Sequence, residues 1–448
     1  MPTVAFHTLG CKVNHYETEA VWNLFKQAGY RRVDFNDEAD VYVINTCTVT
    51  NTGDKKSRQV IRRAVRRNPD AVIAVMGCYA QTSPAEVMSI PGVDIVIGTQ
   101  DRDKILEYVE RYQAERKPIN AVRNIMKTRT FEELDVPDFT DRTRAFLKIQ
   151  DGCNNFCTFC IIPWARGLLR SRKPESVLAQ ARQLVEQGYK EIVLTGIHTA
   201  GYGEDLEDYS FAQLLADLVQ IDGLKRLRIS SIEASQVTDE VIAVIQSSEK
   251  LCRHLHIPLQ SGDDEILKRM RRKYTTAEYR AKIERIREAL PGVAITTDVI
   301  VGFPGETDAH FENTYRFIEE IGFAELHVFP YSKRNGTPAA RMPDQVPEAV
   351  KKERVDRLIE LSNRLSLAYA QQFVGDVLDV IPEHLVRDLP ASGLYVGHTD
   401  NYLKVVFPAD PSLVGKMCKV RIDEAGPDEC KGTLVRVLDD DAPMAHVS

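Results

Sequence analysis

Three cysteines, Cys153, Cys157 and Cys160, stand in the spacing C-x3-C-x2-C within the run DGCNNFCTFC. Three thiolates can hold three corners of a four-iron cube and leave the fourth iron without a protein ligand. An open metal position is where a cofactor or substrate binds, the same logic that separates catalytic from structural zinc sites. The spacing leaves a second reading standing, a zinc ion completed by a distant histidine. A chance cluster of surface thiols is the poorer explanation, because exposed reactive thiols are a liability.

A second triplet is dispersed. Cys11 in LGCKVN, Cys47 in NTCTVT and Cys78 in MGCYAQ each end an apolar run with strand character. If those runs are strands of one parallel sheet, their ends share an edge, and that edge is where open α/β sheets place ligands. Thiols roughly thirty residues apart in sequence then meet in space. One buried cysteine is commonly core filler, but three at strand exits are read as shared metal ligation. Cys252, Cys418 and Cys430 have no such context and are read as packed or semi-exposed thiols.

The elements that must position these thiols follow from patterning. The chain has 448 residues, enough for two or three domains. Over the first ~110 residues, short apolar runs alternate with helical patterns, which predicts a parallel, Rossmann-like α/β domain over residues 2–114. A polar stretch from about Lys117 to Asp141 reads as a linker. From RAFLKIQDG to about Tyr331 the alternation resumes in six βα-like repeats, too few for a closed eight-fold barrel. A partial, open (β/α)6 barrel is therefore expected, and with the amphipathic helix from about Glu348 to Gln372 it accounts for residues 139–370. Residues 372–438 are short strand-like runs broken by Gly, Pro, Asp and Asn, the pattern of a small all-β, OB-like barrel. Tyr395, Tyr402 and His398 are candidates there for an exposed stacking surface for RNA.

Net charge is −7, which argues against a global basic field. Local charge argues for a phosphate-binding surface. KKSRQVIRRAVRRN holds no acid, and Arg58, Arg62 and Arg66, four apart, share one face of a helix. A second run, LKRMRRKY, carries Lys268, Arg269, Arg271, Arg272 and Lys273. The first residues lack the n-region and h-region of a secretory signal, and no run of about 18 apolar residues is present. A cytoplasmic protein with no membrane partner is expected, in which nine cysteines serve as thiols or ligands rather than disulfides.

The C-x3-C-x2-C motif, with Phe159 before its last cysteine, resembles the radical S-adenosylmethionine superfamily along the whole second segment. Two three-cysteine sets followed by a β-barrel are similar to the methylthiotransferase family over nearly all of the chain. Within it, TLGCKVNHYETE and DGCNNFCTFCIIPWARGLLRSR most resemble the branch acting on N6-threonylcarbamoyladenosine (A37), next to the anticodon of tRNA. The resemblance implies an auxiliary-cluster domain, a radical core and a TRAM domain. It implies two [4Fe–4S] clusters, an auxiliary one on Cys11, Cys47 and Cys78 and a radical one on Cys153, Cys157 and Cys160. It further implies two molecules of S-adenosylmethionine per turnover, one of them the source of a 5′-deoxyadenosyl radical. Gly196, Ser231, Glu233, Gln260, Ser261, Asp298 and Arg334 are the candidate cofactor-binding residues. No side chain is assigned as catalytic, because the clusters carry the chemistry. The partners implied are a tRNA anticodon stem-loop and an electron donor such as a flavodoxin or ferredoxin. Two other substrates stand beside this one, isopentenyladenosine in tRNA and an aspartate of a ribosomal protein. From a different class comes a non-catalytic iron–sulfur RNA-binding protein.

Overall fold

The run VYVINT forms strand β3 (Val41–Thr46), buried at every position. That is what a central parallel strand covered on both faces requires. Around it in the computed structural model lie β1 (Thr3–Thr8), β2 (Arg31–Val33), β4 (Val72–Gly77), β5 (Ile95–Val96) and β6 (Ile119–Asn120). The sheet order is β2-β1-β3-β4-β5-β6, all parallel. The structure describes residues 1–134, 136, 139, 143–386 and 393–438. Strand β6 carries the first sheet past residue 114, into the stretch expected as a linker. More of that stretch is packed: Leu134, Val136 and Phe139 are buried in the barrel core. Its expected end, Asp141, lies outside the described residues.

The second unit begins with β7 (Arg144–Lys148) and a short hairpin of β8 (Gln150–Asp151) and β9 (Arg170–Ser171). Then come β10 (Glu191–Thr195), β11 (Arg226–Ile229), β12 (His254–His256), β13 (Ala294–Val301) and β14 (Glu325–Pro330). Strands β7, β10 and β11 pair in parallel, as do β12, β13 and β14. Bridges Leu227↔Leu251 and Ser231↔His256 join the two halves into a six-stranded arc. Strands β7 and β14 do not pair, so the barrel is open. A helix over Glu348–Gln371 packs on β14, where Ser362 Oγ accepts from Leu326 N–H at 3.1 Å.

The last unit is a closed barrel of β15 (Val377–Leu385), β16 (Leu394–Thr399), β17 (Lys404–Pro408), β18 (Cys418–Glu424) and β19 (Cys430–Val437). Its aromatic residues are not free for stacking on RNA. Tyr395 is buried. Tyr402 is sandwiched between His254, at 4.5 Å between ring centroids, and His398, at 4.9 Å, with the Arg228 guanidinium 4.9 Å over its ring. These rings join two domains, because burying aromatic area against a cationic barrel floor is more favourable than leaving it in water.

That floor is electrostatic. Glu191 draws Arg144, Arg226 and Arg228 together, and the arginines donate to the C-terminal barrel. Arg228 reaches the Thr399 and Asp400 carbonyls and Arg226 that of His398, each at 2.9 Å. Burial pushes the Glu191 carboxyl up, but Arg228, Arg144 and Arg226 outweigh burial and hold it at about 2. Among the described residues no helix is long and apolar enough to cross a membrane.

Candidate active site

Cys11, Cys47 and Cys78 follow β1, β3 and β4, three adjacent parallel strands, so their positions converge at one sheet edge. Cys11 is the N-cap of helix α1 (Lys12–Gln27). Gly10 has φ +109°, and a Cβ there would stand 3.2 Å from Cys47 Sγ. Only glycine lets these two turns approach so closely. Asn14 staples them, donating to the Leu9 carbonyl at 2.7 Å and the Thr46 carbonyl at 3.1 Å. Cys11 is exposed, Cys47 half-buried and Cys78 buried. Burial pushes the Cys78 thiol up to about 12, against the pull of Arg166.

The second triplet lies on the loop after β7 and β8, at the C-terminal mouth of the open barrel. Gly152, at φ +76°, has no room for a side chain: a Cβ would stand 2.0 Å from the Leu168 carbonyl oxygen. The following loop is held at both ends, by Cys153 N–H to the Gly167 carbonyl and Thr158 N–H to the Met270 carbonyl, both 3.1 Å. Phe156 sits in the left-handed region at φ 47°, its ring edge-on to Trp164. Burial pushes Cys153 up to about 11 and Cys160 to about 12. Arg272 donates to Cys157 Sγ at 3.4 Å and to Tyr274 OH at 3.1 Å, and pairs with Glu233.

Arg166 joins the two triplets. It ends the short helix Ile162–Arg166 just after Cys160, yet its Nε donates to Cys78 Sγ at 3.1 Å. Its other nitrogens donate to Glu17 and, at 2.5 Å, to Asn14 Oδ1. Glu17 lies on α1, wholly buried, and also takes Arg102 at 2.5 Å and Lys148 at 2.7 Å. The two cysteine sets are thereby fixed against one another across the domain junction.

The residues present fit iron–sulfur cubes better than single ions. Thiolates tetrahedral about one zinc stand about 3.8 Å apart. Among the described residues the one group of three candidate ligand atoms within 4.8 Å of one another belongs to His256, Asp298 and His327, not to either cysteine set. Wider triplets suit a larger inorganic core, and each has one cysteine receiving an arginine N–H.

The expected cofactor-binding residues fall in different places. Glu233 lines a cavity of about 130 Å³ with Cys157, Asn154, His198 and Arg272. Gly196 lets Gln150 close in, since a Cβ would stand 2.9 Å from Gln150 Oε1. Ser231 supplies the bridge from β11 to His256. Gln260 sits at φ 68°, its backbone joined to Asp298 and Ile300. Asp298 Oδ1 meets His256 Nε2 and His327 Nδ1, each at 3.2 Å. Ser261 is placed otherwise: it is fully buried, and its hydroxyl pairs with Thr314 at 3.2 Å beneath the helix Asp308–Ile321. Arg334 is engaged by the first domain, with Asn51 at 2.7 Å, Asp54 at 2.8 Å and Thr48 at 2.5 Å. It is a domain clamp, because a buried guanidinium takes the nearest carboxylate.

The basic helix α2 (Asn51–Arg67) forms as expected, with Arg62 and Arg66 exposed. Arg58 is half-buried and spent on Glu86, at 2.9 Å, and on Tyr79. In the second basic run, Arg272 leaves the surface for Cys157. Glu17 and Arg166 lie inside the runs TLGCKVNHYETE and DGCNNFCTFCIIPWARGLLRSR, but neither they nor Lys148 are singled out by spacing, because their roles depend on residues more than 100 positions away.

An open parallel barrel with a three-cysteine loop at its mouth defines the radical S-adenosylmethionine class, and residues 147–318 match the Radical SAM superfamily. Residues 3–98 match an uncharacterised protein family, UPF0004. Over 442 residues, 98% of each chain, the sequence is 66% identical to the threonylcarbamoyladenosine tRNA methylthiotransferase MtaB of Bacillus subtilis. A relative of the same name in Aquifex aeolicus is 43% identical over 94% of this chain and 100% of its own length. The tRNA-2-methylthio-N6-dimethylallyladenosine synthase of Clostridium novyi is 38% identical over 96% of this chain and 95% of its own. The chain belongs to the tRNA methylthiotransferase family, as a radical S-adenosylmethionine enzyme that transfers sulfur-containing groups. S-adenosylmethionine and a [4Fe–4S] cluster are its cofactors by that membership. In fold it is similar to the radical S-adenosylmethionine methyltransferase TsrM of Kitasatospora setae, with TM-score 0.56 and 14% identity, over 88% of this chain and 80% of that one.

Proposed function

We propose that this enzyme inserts a methylthio group at C2 of N6-threonylcarbamoyladenosine at position 37 of tRNA. The observation that carries the reading is the gap in identity: 66% to a relative named for that nucleoside against 38% to those named for dimethylallyladenosine. Residues 2–114 together with β6 act as auxiliary domain, residues 139–370 with the packed Leu134 and Val136 as radical core, and residues 372–438 as TRAM domain.

Cys11, Cys47 and Cys78 hold a second [4Fe–4S] cluster, and Cys153, Cys157 and Cys160 hold the radical cluster. When bound, the cofactors supply radical hydrogen abstraction and a sulfur source, which polar side chains cannot provide at an adenine C2–H. The chain's own residues arrange the rest. Glu17 and Arg166 keep the triplets facing one another. Arg272 and Arg166 donate to one thiolate of each set, and donors to cluster sulfurs tune redox potential. Gly196, Ser231 and Glu233 follow the ends of their strands and Gln260 pairs with β13 beside Asp298, and these five would line the cofactor site, whereas Ser261 is packed under a helix and Arg334 clamps the first domain. A cytoplasmic flavodoxin or ferredoxin delivers electrons. An adenosine in a loop is already partly unstacked, so presenting it costs less than flipping one from a duplex.

Mass spectrometry of tRNA nucleosides from a strain lacking the gene tests this. The expected result is loss of the 2-methylthio derivative with accumulation of N6-threonylcarbamoyladenosine. An unchanged profile for that nucleoside sinks the assignment; loss of a methylthiolated isopentenyladenosine points to the other tRNA branch, and loss of a modified ribosomal aspartate to the protein branch. Failure of the reduced protein to cleave S-adenosylmethionine leaves only a non-catalytic iron–sulfur protein.

Arg62 and Arg66 face solvent on α2, and Arg58 adds to their field while paired to Glu86. Reversing both exposed charges, Arg62→Glu with Arg66→Glu, is expected to weaken tRNA binding and reduce the slope of log affinity against log salt by about 2. Unchanged affinity and slope mark α2 as an ordinary solvated face.

A further inference from the structure

The cations around the cysteine triplets are nearly all answered by carboxylates. Arg166 and Lys148 share Glu17, Arg272 holds Glu233, and Arg334 holds Asp54. On the barrel floor Glu191 serves Arg144, Arg226 and Arg228. Lys12 differs. It follows Cys11 directly as the first residue of α1, is exposed, and makes neither hydrogen bond nor ion pair with any described residue. Its surroundings disfavour the ammonium, first through burial among protein groups and then through the field of Arg144 and Arg228, which the already committed Glu191 and the neighbouring Cys11 only partly offset. A cation in such surroundings gains from a carboxylate of its own, and among the described residues none is within hydrogen-bond or ion-pair distance of it.

The substrate proposed above does. N6-threonylcarbamoyladenosine carries a carboxylate on its N6 substituent. On a purine, N6 and C2 flank N1 on one edge, so a group reading that carboxylate must stand close to whatever delivers sulfur to C2. Lys12 is the immediate neighbour of a ligand of the sulfur-bearing cluster. We infer that Lys12 binds the threonyl carboxylate and thereby selects N6-threonylcarbamoyladenosine over adenosines whose N6 substituent is uncharged. This role rests on the proposed function. It assigns Lys12 the difference between substrates rather than the radical step, which an uncharged N6 group leaves untouched.

Two anticodon stem-loop RNAs test it, identical except that the N6 substituent ends in a carboxylate in one and a carboxamide in the other. Their affinities are measured on the reconstituted holoenzyme at fixed salt by fluorescence anisotropy. Wild type is expected to favour the carboxylate RNA about ten-fold or more, as a charge-assisted hydrogen bond gives. Lys12→Met brings the ratio to about one, and Lys12→Arg, which keeps the charge, restores most of it. The ratio is taken on one protein, so damage to the cluster beside Cys11 weakens both RNAs together and does not imitate its collapse. A Lys12→Met or Lys12→Gln enzyme that keeps the wild-type ratio overturns the assignment. So does a wild-type enzyme that methylthiolates the carboxylate RNA while showing no preference for it. A wild-type enzyme that leaves that RNA unmodified overturns the proposed function instead, and the role of Lys12 with it.

Discussion

Replacing Cys153, Cys157 and Cys160 together by alanine is expected to lower the iron bound per chain from about eight atoms to about four and to abolish S-adenosylmethionine cleavage. The matching change of Cys11, Cys47 and Cys78 is expected to remove the same amount of iron but to leave that cleavage in place, with no methylthiolated product. The two variants separate because the triplets belong to different domains: one on a barrel-mouth loop tied to Gly167 and Met270, the other on the edge of a six-stranded sheet. Iron analysis, paired with detection of 5′-deoxyadenosine and of modified RNA, reads both. Zinc in place of iron, or loss of all iron from either variant, contradicts two independent clusters.

The second large effect belongs to Glu17. Its carboxylate is fully buried and faces Arg102, Lys148 and Arg166, one cation from its own domain and two from the barrel. Removing one partner from a buried ionic cluster leaves the others uncompensated and costs about 3–5 kcal/mol. Glu17→Gln keeps the shape and loses the charge, so it is expected to lower the unfolding free energy by that amount, read as a lower denaturant midpoint, and to uncouple the first domain from the barrel. Product formation should fail while each cysteine set still takes up iron. The sign of the pH effect follows. Burial pushes the Glu17 carboxyl up, but Arg102, Arg166 and Lys148 outweigh it and hold it well below 4.5 in the folded state. A depressed folded value means the stabilisation is present above the unfolded range, near pH 4.5, and is lost as pH falls through the folded value. Wild-type stability therefore drops on acidification below about pH 4.5, and Glu17→Gln should flatten that limb. Equal midpoints and parallel acid limbs count against Glu17 as the clamp.

The architecture and the six cysteines were legible in the chain because each rests on local regularity. A run such as VYVINT has the length and β-branching of a buried parallel strand, and LGC, NTC and MGC mark where such strands end. Parallel pairing of adjacent strands then brings Cys11, Cys47 and Cys78 to one edge without further information. The spacing of Cys153, Cys157 and Cys160 is self-contained in the same way.

Charged and aromatic side chains behaved differently. Arg62 and Arg272 stand in similar basic runs, yet one faces water and the other Cys157; Tyr402 has the composition of an RNA platform and serves as a domain joint. Long polar side chains reach several ångströms in many directions, and the free energy of each placement depends on which opposite charge, ring or carbonyl the fold brings near. By itself the sequence determined the alternation of strands and helices, the open barrel and two triplets of cysteines as candidate ligands, since these follow from periodicity and spacing. Only the tertiary structure decided that Arg166 ties the loop after Cys160 to Cys78 and Glu17, that Arg334 clamps a domain, and that Lys12 is left without a partner among the described residues, because electrostatic partnership is a property of distance in space.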